Sequence, residues 1–361
     1  MKITDIRIGK INIPLKKSFK SIVSTVSEVS EIVIKIITDT DEIGIGSAAP
    51  TPHVTGDTEE SIIAAIKLIT PNLMGQDIDN LEDIMSIIDN GITDNCSAKA
   101  AIDMAVYDLF GKKYNLPLYK YFGGNKPNIT TGITISVGSI EDMVKDSLEA
   151  IRNGFQYLKI KVGTDPITDL KRVKSIRQAV RKDTKLIVDA NQGWTPKEAV
   201  KIINKFEDLN LNIELIEQPV KAWDLDGLKF VTDRVMIPIL ADESVHNIND
   251  ALNIIEKRAA NCINVKLMKC GGFHNAIKIL NLAEMAGIEC MMGCMVESKI
   301  GVTAASSFAL AKKNITKTDL DMLLSYEEDP IEGGVTFDGN LICASNSPGL
   351  GIKDIKGWQE I

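Results

Sequence analysis

Positive charge is outnumbered in this sequence. Forty-one Lys and Arg stand against 49 Asp and Glu, giving a net charge of −8 and a pI near 5.2. That balance argues against nucleic acid or an anionic membrane as the main partner. Long apolar runs are also missing. The opening stretch, MKITDIRIGKINIPLKK, alternates apolar and polar residues as a strand does, without the apolar core of a signal segment, and nothing later approaches a membrane span. A cytoplasmic protein is expected. The six cysteines (Cys96, Cys262, Cys270, Cys290, Cys294, Cys343) are scattered, and the closest pair, Cys290 and Cys294, is not followed by ligands at zinc spacing. They read as small core residues in a reducing compartment. Only three histidines occur, and of these only His53 falls in a loop expected to cover a site.

What is present is enough chain, 361 residues at 44% hydrophobic content, for a large core and two domains. Residues 1–125 read as an α+β unit: KITDIRIGKINIPL and SEIVIKIITDTDEIGIGSAAP look like antiparallel strands, and residues 57–114 carry helical periods broken at Pro71 and Pro117. From 126 to 324, short apolar strands alternate with amphipathic helices. The strand-to-strand spacing of about 24 to 28 residues fits a strand, a helix and two short loops. Eight such units predict a (β/α)₈ barrel of the TIM type, hence an α/β protein with an α+β capping domain. Residues 325–361, rich in turn formers, are expected to return to the capping domain. Trp194 and Trp223 read as packing residues, and Gly271–Gly272 as a strand-to-helix turn.

In this register the unusual residues converge. Lys159 and Lys161 end the second barrel strand, Asp189 and Asn191 the third, and Glu217 the fourth. Asp242 and Glu243 end the fifth, and Lys266 the sixth. Active sites of this fold lie at the C-terminal ends of the strands. Side chains alternate along a strand, so Ile160 and Val162 face the helices while Lys159 and Lys161 face the axis; Asn264 and Lys266 follow the same rule. Three carboxylates on adjacent strands, with few histidines and no paired cysteines, suit a hard cation such as Mg²⁺. Lysines flanking that site could remove and return a proton, provided the pKa of the base is lowered. The adjacency of Lys159 and Lys161 suggests that each makes the other's charge less favourable. A lysine base beside Mg²⁺ is an established arrangement in the enolase superfamily.

The motifs KIKVG, VDANQGW, IEQP, ADES, NVKLMKCGG and GCMVESKIG occur in an order and spacing that resemble that superfamily, within it the muconate-lactonizing-enzyme subgroup, over essentially the whole chain. The resemblance implies Asp189, Glu217 and Asp242 as Mg²⁺ ligands, one ion per subunit. It implies Lys161 and Lys266 as acid/base catalysts on opposite faces of an enediolate, with Lys159 assisting Lys161 at the substrate carboxylate. Asn191 and Glu297 fall within its motifs and are expected at the substrate.

The same lysine pair serves cycloisomerases, o-succinylbenzoate synthases, N-acylamino-acid racemases and dipeptide epimerases. KTDLDML favours the last. Asp319 and Asp321, one residue apart on the eighth strand, resemble the Asp-x-Asp pair that binds a dipeptide's α-ammonium in those enzymes. The implied function is inversion of the Cα of a dipeptide's C-terminal residue by two-lysine 1,1-proton transfer, with L-Ala-D/L-Glu as the first-choice substrate and an N-acylamino-acid racemase or o-succinylbenzoate synthase as the alternative. Specificity is expected in two capping loops, residues 16–27 and 48–57. Residues 48–57 resemble the corresponding loop of Ala-Glu epimerases. In the 16–27 loop, Ser24 stands where those enzymes often carry an arginine, so the sequence departs from the pattern there. Thr134 is expected to touch the peptide amide and His53 the substrate. The expected partner is a small-molecule dipeptide, and a homo-oligomer is expected.

Overall fold

The structure, a computed structural model, describes residues 1–22 and 24–361. The capping layer is a four-stranded antiparallel sheet in the order Gln359–Glu360, Ile3–Lys20, Thr25–Thr38, Ile43–Ala48. Alternation explains the first long strand: Ile11, Ile13 and Leu15 are buried while the residues between them are exposed. The strand runs through to Lys20 and its partner begins at Thr25, so the expected loop over 16–27 is mostly strand, with a register shift between Pro14 and Phe19. The extreme C-terminus joins this sheet through the pairs Gly9–Glu360 and Lys10–Gln359.

Helix Cys96–Lys113 lies on this sheet and is buried along nearly its whole length. The EIGIGS strand makes that approach possible. A Cβ at Gly44 would sit 2.2 Å from the Ala105 carbonyl oxygen, and one at Gly46 would sit 1.9 Å from that of Ala101. On its other side the helix touches the barrel at Leu267–Cys270 and Phe273–Met285, joining the two layers.

The barrel has eight parallel strands: Ile133–Ile135, Tyr157–Lys161, Lys185–Asp189, Ile213–Glu217, Ile239–Ala241, Cys262–Val265, Glu289–Gly293 and Ile315–Asp319. They pair in sequence order. Ile187, Leu215, Leu240, Cys262 and Met291 fill the interior as a small separate cluster, with Tyr157 packed against it. The outward residues join the helices in the main core. Among the described residues no ladder joins the first strand to the eighth. That seam is closed largely by side chains: Thr318 Oγ1 donates to the Thr130 carbonyl (2.5 Å), Leu320 N donates to Thr131 Oγ1 (3.0 Å), and Thr134 N donates to Asp321 Oδ2 (2.7 Å).

Two tryptophans separate. Trp194 is buried and its Nε1 donates to Asp169 Oδ2 at 3.1 Å, whereas Trp223, in the loop between the fourth strand and its helix, is 81% exposed and is not a packing residue. Among the described residues no helix is long and apolar enough to cross a membrane.

Candidate active site

The C-terminal ends of the strands are shaped by backbone that most side chains would not tolerate. After Lys161 the chain turns at Gly163 (φ +105°), where a Cβ would lie 2.1 Å from the Ala190 carbonyl oxygen. Asn191 (φ 41°) and Gln192 (φ 69°) turn the chain after Asp189. Gln218, also at positive φ, ties the IEQP and ADES segments together. Its Oε1 accepts from Asp242 N (2.9 Å) and Ser244 N (3.2 Å), and its Nε2 donates to Ser244 Oγ (2.8 Å). Glu217 and Asp242 are thereby fixed in register on neighbouring strands.

These strand ends hold a buried ionic network. Lys159 Nζ lies 2.6 Å from Asp319 Oδ2, 2.9 Å from Glu217 Oε1 and 3.1 Å from Asp189 Oδ2. Lys161 Nζ donates to Asp189 Oδ2 at 2.7 Å, and Lys266 Nζ to Asp242 Oδ2 at 2.7 Å. Lys269, 1% exposed, donates to Asp242 Oδ1 at 2.6 Å. Asn264 Nδ2 donates to Glu217 Oε1 (3.0 Å), and Asn191 Nδ2 to Glu243 Oε1 (3.2 Å). Ion pairs this dry are costly to assemble and stand only because nearly every charge has a partner.

Burial and neighbouring charge set the protonation. Burial works against the Lys159 ammonium, but Asp319, Glu217 and Asp189 overcome it and hold its pKa well above the ordinary value. Lys266 is raised too: burial opposes its charge, Asp242 outweighs burial, and Lys159 lowers it somewhat. The expected mutual depression is therefore absent at Lys159, because its nearest neighbours are carboxylates and not Lys161. Burial resists ionisation of Asp189 and Asp242, yet lysines pull both below the usual range: Lys161 and Lys159 for the first, Lys266 and Lys269 for the second. Glu217 rises to about 8, through burial and then Asp189. At the eighth strand the two aspartates part. Lys159 and Lys161 overcome burial to lower Asp319, while burial and then Asp319 lift Asp321 to about 6.

A cavity of about 100 Å³ lies over this network, bounded by Lys161, Asn191, Asp242, Lys266, Asp319 and Asp321 from the barrel and by Phe19, Ser24, Thr51 and Val54 from the capping layer. A groove of about 550 Å³ shares Phe19, Thr134, Asp321 and Met322 with it. A larger cavity, about 720 Å³, opens among strand starts at the other end of the barrel around Tyr157, Lys185 and Lys317. It holds none of the convergent carboxylates and is not where the chemistry lies.

Lys159, Lys161, Lys266, Asp189, Glu217, Asp242, Asn191, Asp319, Asp321, Thr134 and Ser24 are brought to one place. Two expected residues are not. His53 is exposed on its loop and does not line the cavity; its neighbours Thr51 and Val54 do, because a turn has no alternation to aim a side chain. Glu297 lies behind the cavity wall, where its Oε1 accepts from Met295 N at 2.9 Å and its Oε2 lies where a Gly301 Cβ would be. Burial and then Glu31 lift its carboxyl to about 8. Sequence reasoning passed over Lys269, Gln218 and Phe19, and took Cys294, which lines the cavity, for a core residue. Only Lys269, three residues beyond Lys266 in NVKLMKC, left a legible signal.

The donor set suits a hard divalent cation. Glu217 Oε2, Asn191 Oδ1 and Glu243 Oε2 are buried with no hydrogen-bond partner among the described residues, and all the donors are oxygens. Among those residues no three acids are gathered into a ready-made metal cluster, since lysine ammonium groups stand between the carboxylates.

Comparison with known proteins agrees with this architecture. Residues 3–123 match the mandelate racemase / muconate lactonizing enzyme N-terminal domain, and residues 142–354 match the enolase C-terminal domain-like family. An L-Ala-D/L-Glu epimerase of Clostridium acetobutylicum is 52% identical over 356 residues, 98% of this chain and 99% of that one. The substrate-liganded structure of the L-Ala-D/L-Glu epimerase from Bacillus subtilis superimposes with a TM-score of 0.97 at 45% identity, covering 98% and 99% of the two chains. A dipeptide epimerase from Enterococcus faecalis V583, solved with Mg and L-Leu-L-Tyr, gives a TM-score of 0.95 at 43% identity, covering 98% and 100%. With both domains matched, and the strand-end carboxylates and lysines gathered as above, this chain belongs to the enolase superfamily, in its mandelate racemase / muconate lactonizing enzyme branch.

Proposed function

We propose that the protein is a Mg²⁺-dependent dipeptide epimerase that inverts the Cα of the C-terminal residue, with L-Ala-D/L-Glu as substrate. One observation carries the reading. Lys161 and Lys266 stand at the ends of the second and sixth of eight strands, on opposite sides of the ring, with Asp189, Glu217 and Asp242 at the ends of the three strands between them.

Asp189, Glu217 and Asp242 would hold the ion, which when bound supplies positive charge to draw in the substrate carboxylate and to offset charge building on it. The chain's own residues do the rest. One lysine, as the free amine, takes the Cα proton from one face; the ammonium of the other returns a proton to the opposite face, inverting the centre. One lysine leaves protonated and the other deprotonated, so the proton count balances and the reverse reaction finds the pair poised. Lys159, held cationic by three carboxylates beneath the cavity floor, is assigned, with Lys161 next to it, to the positive charge that faces the substrate carboxylate. Asp319 and Asp321 at the cavity edge receive the α-ammonium. Thr134 lines the cavity on the first strand, between the eighth and that of Lys161, and is the residue assigned to the peptide amide.

The substrate choice follows the relatives of highest similarity described above, although Ser24, with no charge to offer a distal carboxylate, lines the cavity. The test is proton NMR in D₂O with Mg²⁺ and L-Ala-L-Glu, beside Ala-Lys, Ala-Leu and N-succinyl amino acids. Loss of the Glu Cα proton with appearance of the L-Ala-D-Glu diastereomer is the expected result. Exchange of only another dipeptide keeps the chemistry and overturns the substrate. Exchange of N-succinyl amino acids alone overturns the dipeptide reading.

A further inference from the structure

One buried cation has no part in the reaction just described. Lys269 Nζ donates to Asp242 Oδ1 (2.6 Å) and to the Asn264 carbonyl (3.1 Å), and also contacts the Asp242 main-chain carbonyl. It is 1% exposed and does not line the cavity, whereas Lys266, on the other oxygen of the same carboxylate, does. Asp242 thus has its two oxygens divided between two lysines with different surroundings. Lys266 faces the cavity and its contact with Oδ2 can open when something else takes that oxygen. Lys269 is held by main-chain carbonyls as well and has nowhere to go.

The backbone supports the same division. Lys269 sits on the single turn Leu267–Cys270, which ends at Gly271 (φ 85°) and Gly272 (φ 107°). A Cβ on Gly272 would strike Asp103 Cγ at 2.3 Å. The Asp103 carboxylate, from the capping-layer helix Cys96–Lys113, accepts from Phe273 N (2.6 Å) and His274 N (3.1 Å). The turn that aims Lys269 is therefore pinned from the other layer.

We infer that Lys269 is a positioning residue that locks the Asp242 carboxylate through Oδ1 and leaves Oδ2 as the oxygen presented to a divalent cation. This rests on the metal site proposed above. Two physical roles give opposite signs. If Lys269 acted only as a nearby positive charge, removing it would tighten cation binding, because like charges repel. If it positions the ligand, removing it loosens binding, as losing the partner of a metal ligand does, typically by about 10- to 100-fold.

The experiment is calorimetric titration of the full chain with Mg²⁺, for the wild type, Lys269→Met and Lys269→Gln, with melting curves and the electron paramagnetic resonance spectrum of bound Mn²⁺ recorded alongside. Lys269→Met is expected to weaken Mg²⁺ at least tenfold and to alter the Mn²⁺ spectrum. Lys269→Gln, which keeps a donor without the charge, is expected to recover part of the affinity. Unchanged or tighter Mg²⁺ binding by a folded Lys269→Met overturns the inference. Should that variant not fold, Lys269→Gln decides by the same sign. A wild type that takes up no Mg²⁺ overturns the metal site itself, which is a different failure from equal affinities across the set.

Discussion

Lys159 and Asp319 meet inside the barrel, Nζ to Oδ2 at 2.6 Å, although one lies on the second strand and the other ends the eighth. The contact links the residue proposed to hold the α-ammonium with the lysine proposed to lie at the substrate carboxylate. The two aspartates of KTDLDML therefore differ in their neighbours. Asp319 is tied into the ionic network, whereas Asp321 accepts from Thr134 N.

That difference predicts a split. Asp321→Asn is expected to raise KM for L-Ala-L-Glu by roughly 10-fold or more, the scale for losing a charge-assisted bond of about 1.5–3 kcal/mol, with a smaller effect on kcat. Asp319→Asn is expected to lower kcat as well, because it removes a carboxylate from Lys159. Steady-state kinetics decide it; equal effects of both variants on both constants would count against the assignment.

Replacing either flanking lysine should separate the two directions of exchange. Lys161→Met and Lys266→Met are each expected to cut epimerisation by about 10²–10⁴-fold, the usual contribution of a positioned acid/base group. Each is also expected to retain solvent exchange of the Cα proton of only one diastereomer. Deuterium uptake from L-Ala-L-Glu and L-Ala-D-Glu measures this. Retention of the same diastereomer by both variants would place the lysines on one face.

Glu31 predicts a pH dependence of stability. It is fully buried on the capping sheet, Ser298 N donates to its Oε2 at 3.2 Å, and burial raises its carboxyl to about 7. In the unfolded chain the group ionises near ~4.3. Between those two values the folded state holds a proton that the unfolded state has released. This contribution is thus complete below the unfolded value and is lost as pH rises through the folded one. The loss amounts to roughly 3–4 kcal/mol, about 2.7 pH units at 1.36 kcal/mol per unit. Urea denaturation of Glu31→Gln should gain on the wild type by about that much between pH 4.5 and pH 8; a gap that does not change with pH would contradict it.

Gly163→Ala is expected to be destabilising by about 2 kcal/mol or more, from strain at positive φ and the encounter with the Ala190 carbonyl. Because it displaces the Lys161 and Asp189 strand ends, activity should fall further than stability alone explains. Denaturation and exchange assays on the same preparation test both, and a stable, fully active variant would rule out the steric argument.

The barrel and its charged strand ends were legible because strands impose a period of two. Once Ile160 and Val162 face the helices, Lys159 and Lys161 must face the axis, and the same rule aims Asp189, Glu217, Asn264 and Lys266. Loops impose no such rule, so His53 was expected over the site and lies outside it, while Thr51 and Val54 line it. Glu297 carried a family motif, yet its direction depends on the turn after the seventh strand, which points it behind the wall. The reach of the first capping strand to Lys20 was hidden by KKSFK, whose polar residues read as a loop but pair across the sheet as Phe19–Val26 and Lys20–Thr25. The pKa of Lys159 was misjudged from sequence adjacency, because the carboxylates that govern it come from strands far along the chain.

The seam between the first and eighth strands makes one residue a buckle and, in the function proposed above, also the reading head. Asp321 bonds to Thr134 N across the gap where, among the described residues, the ring has no ladder, and it also borders the cavity over the strand ends. If that carboxylate holds the α-ammonium as proposed, a change in what it recognises is also a change in how the barrel fastens. Altering amine recognition here calls for a matching alteration at the Thr130–Thr134 edge, so the two segments are expected to vary together when the substrate does.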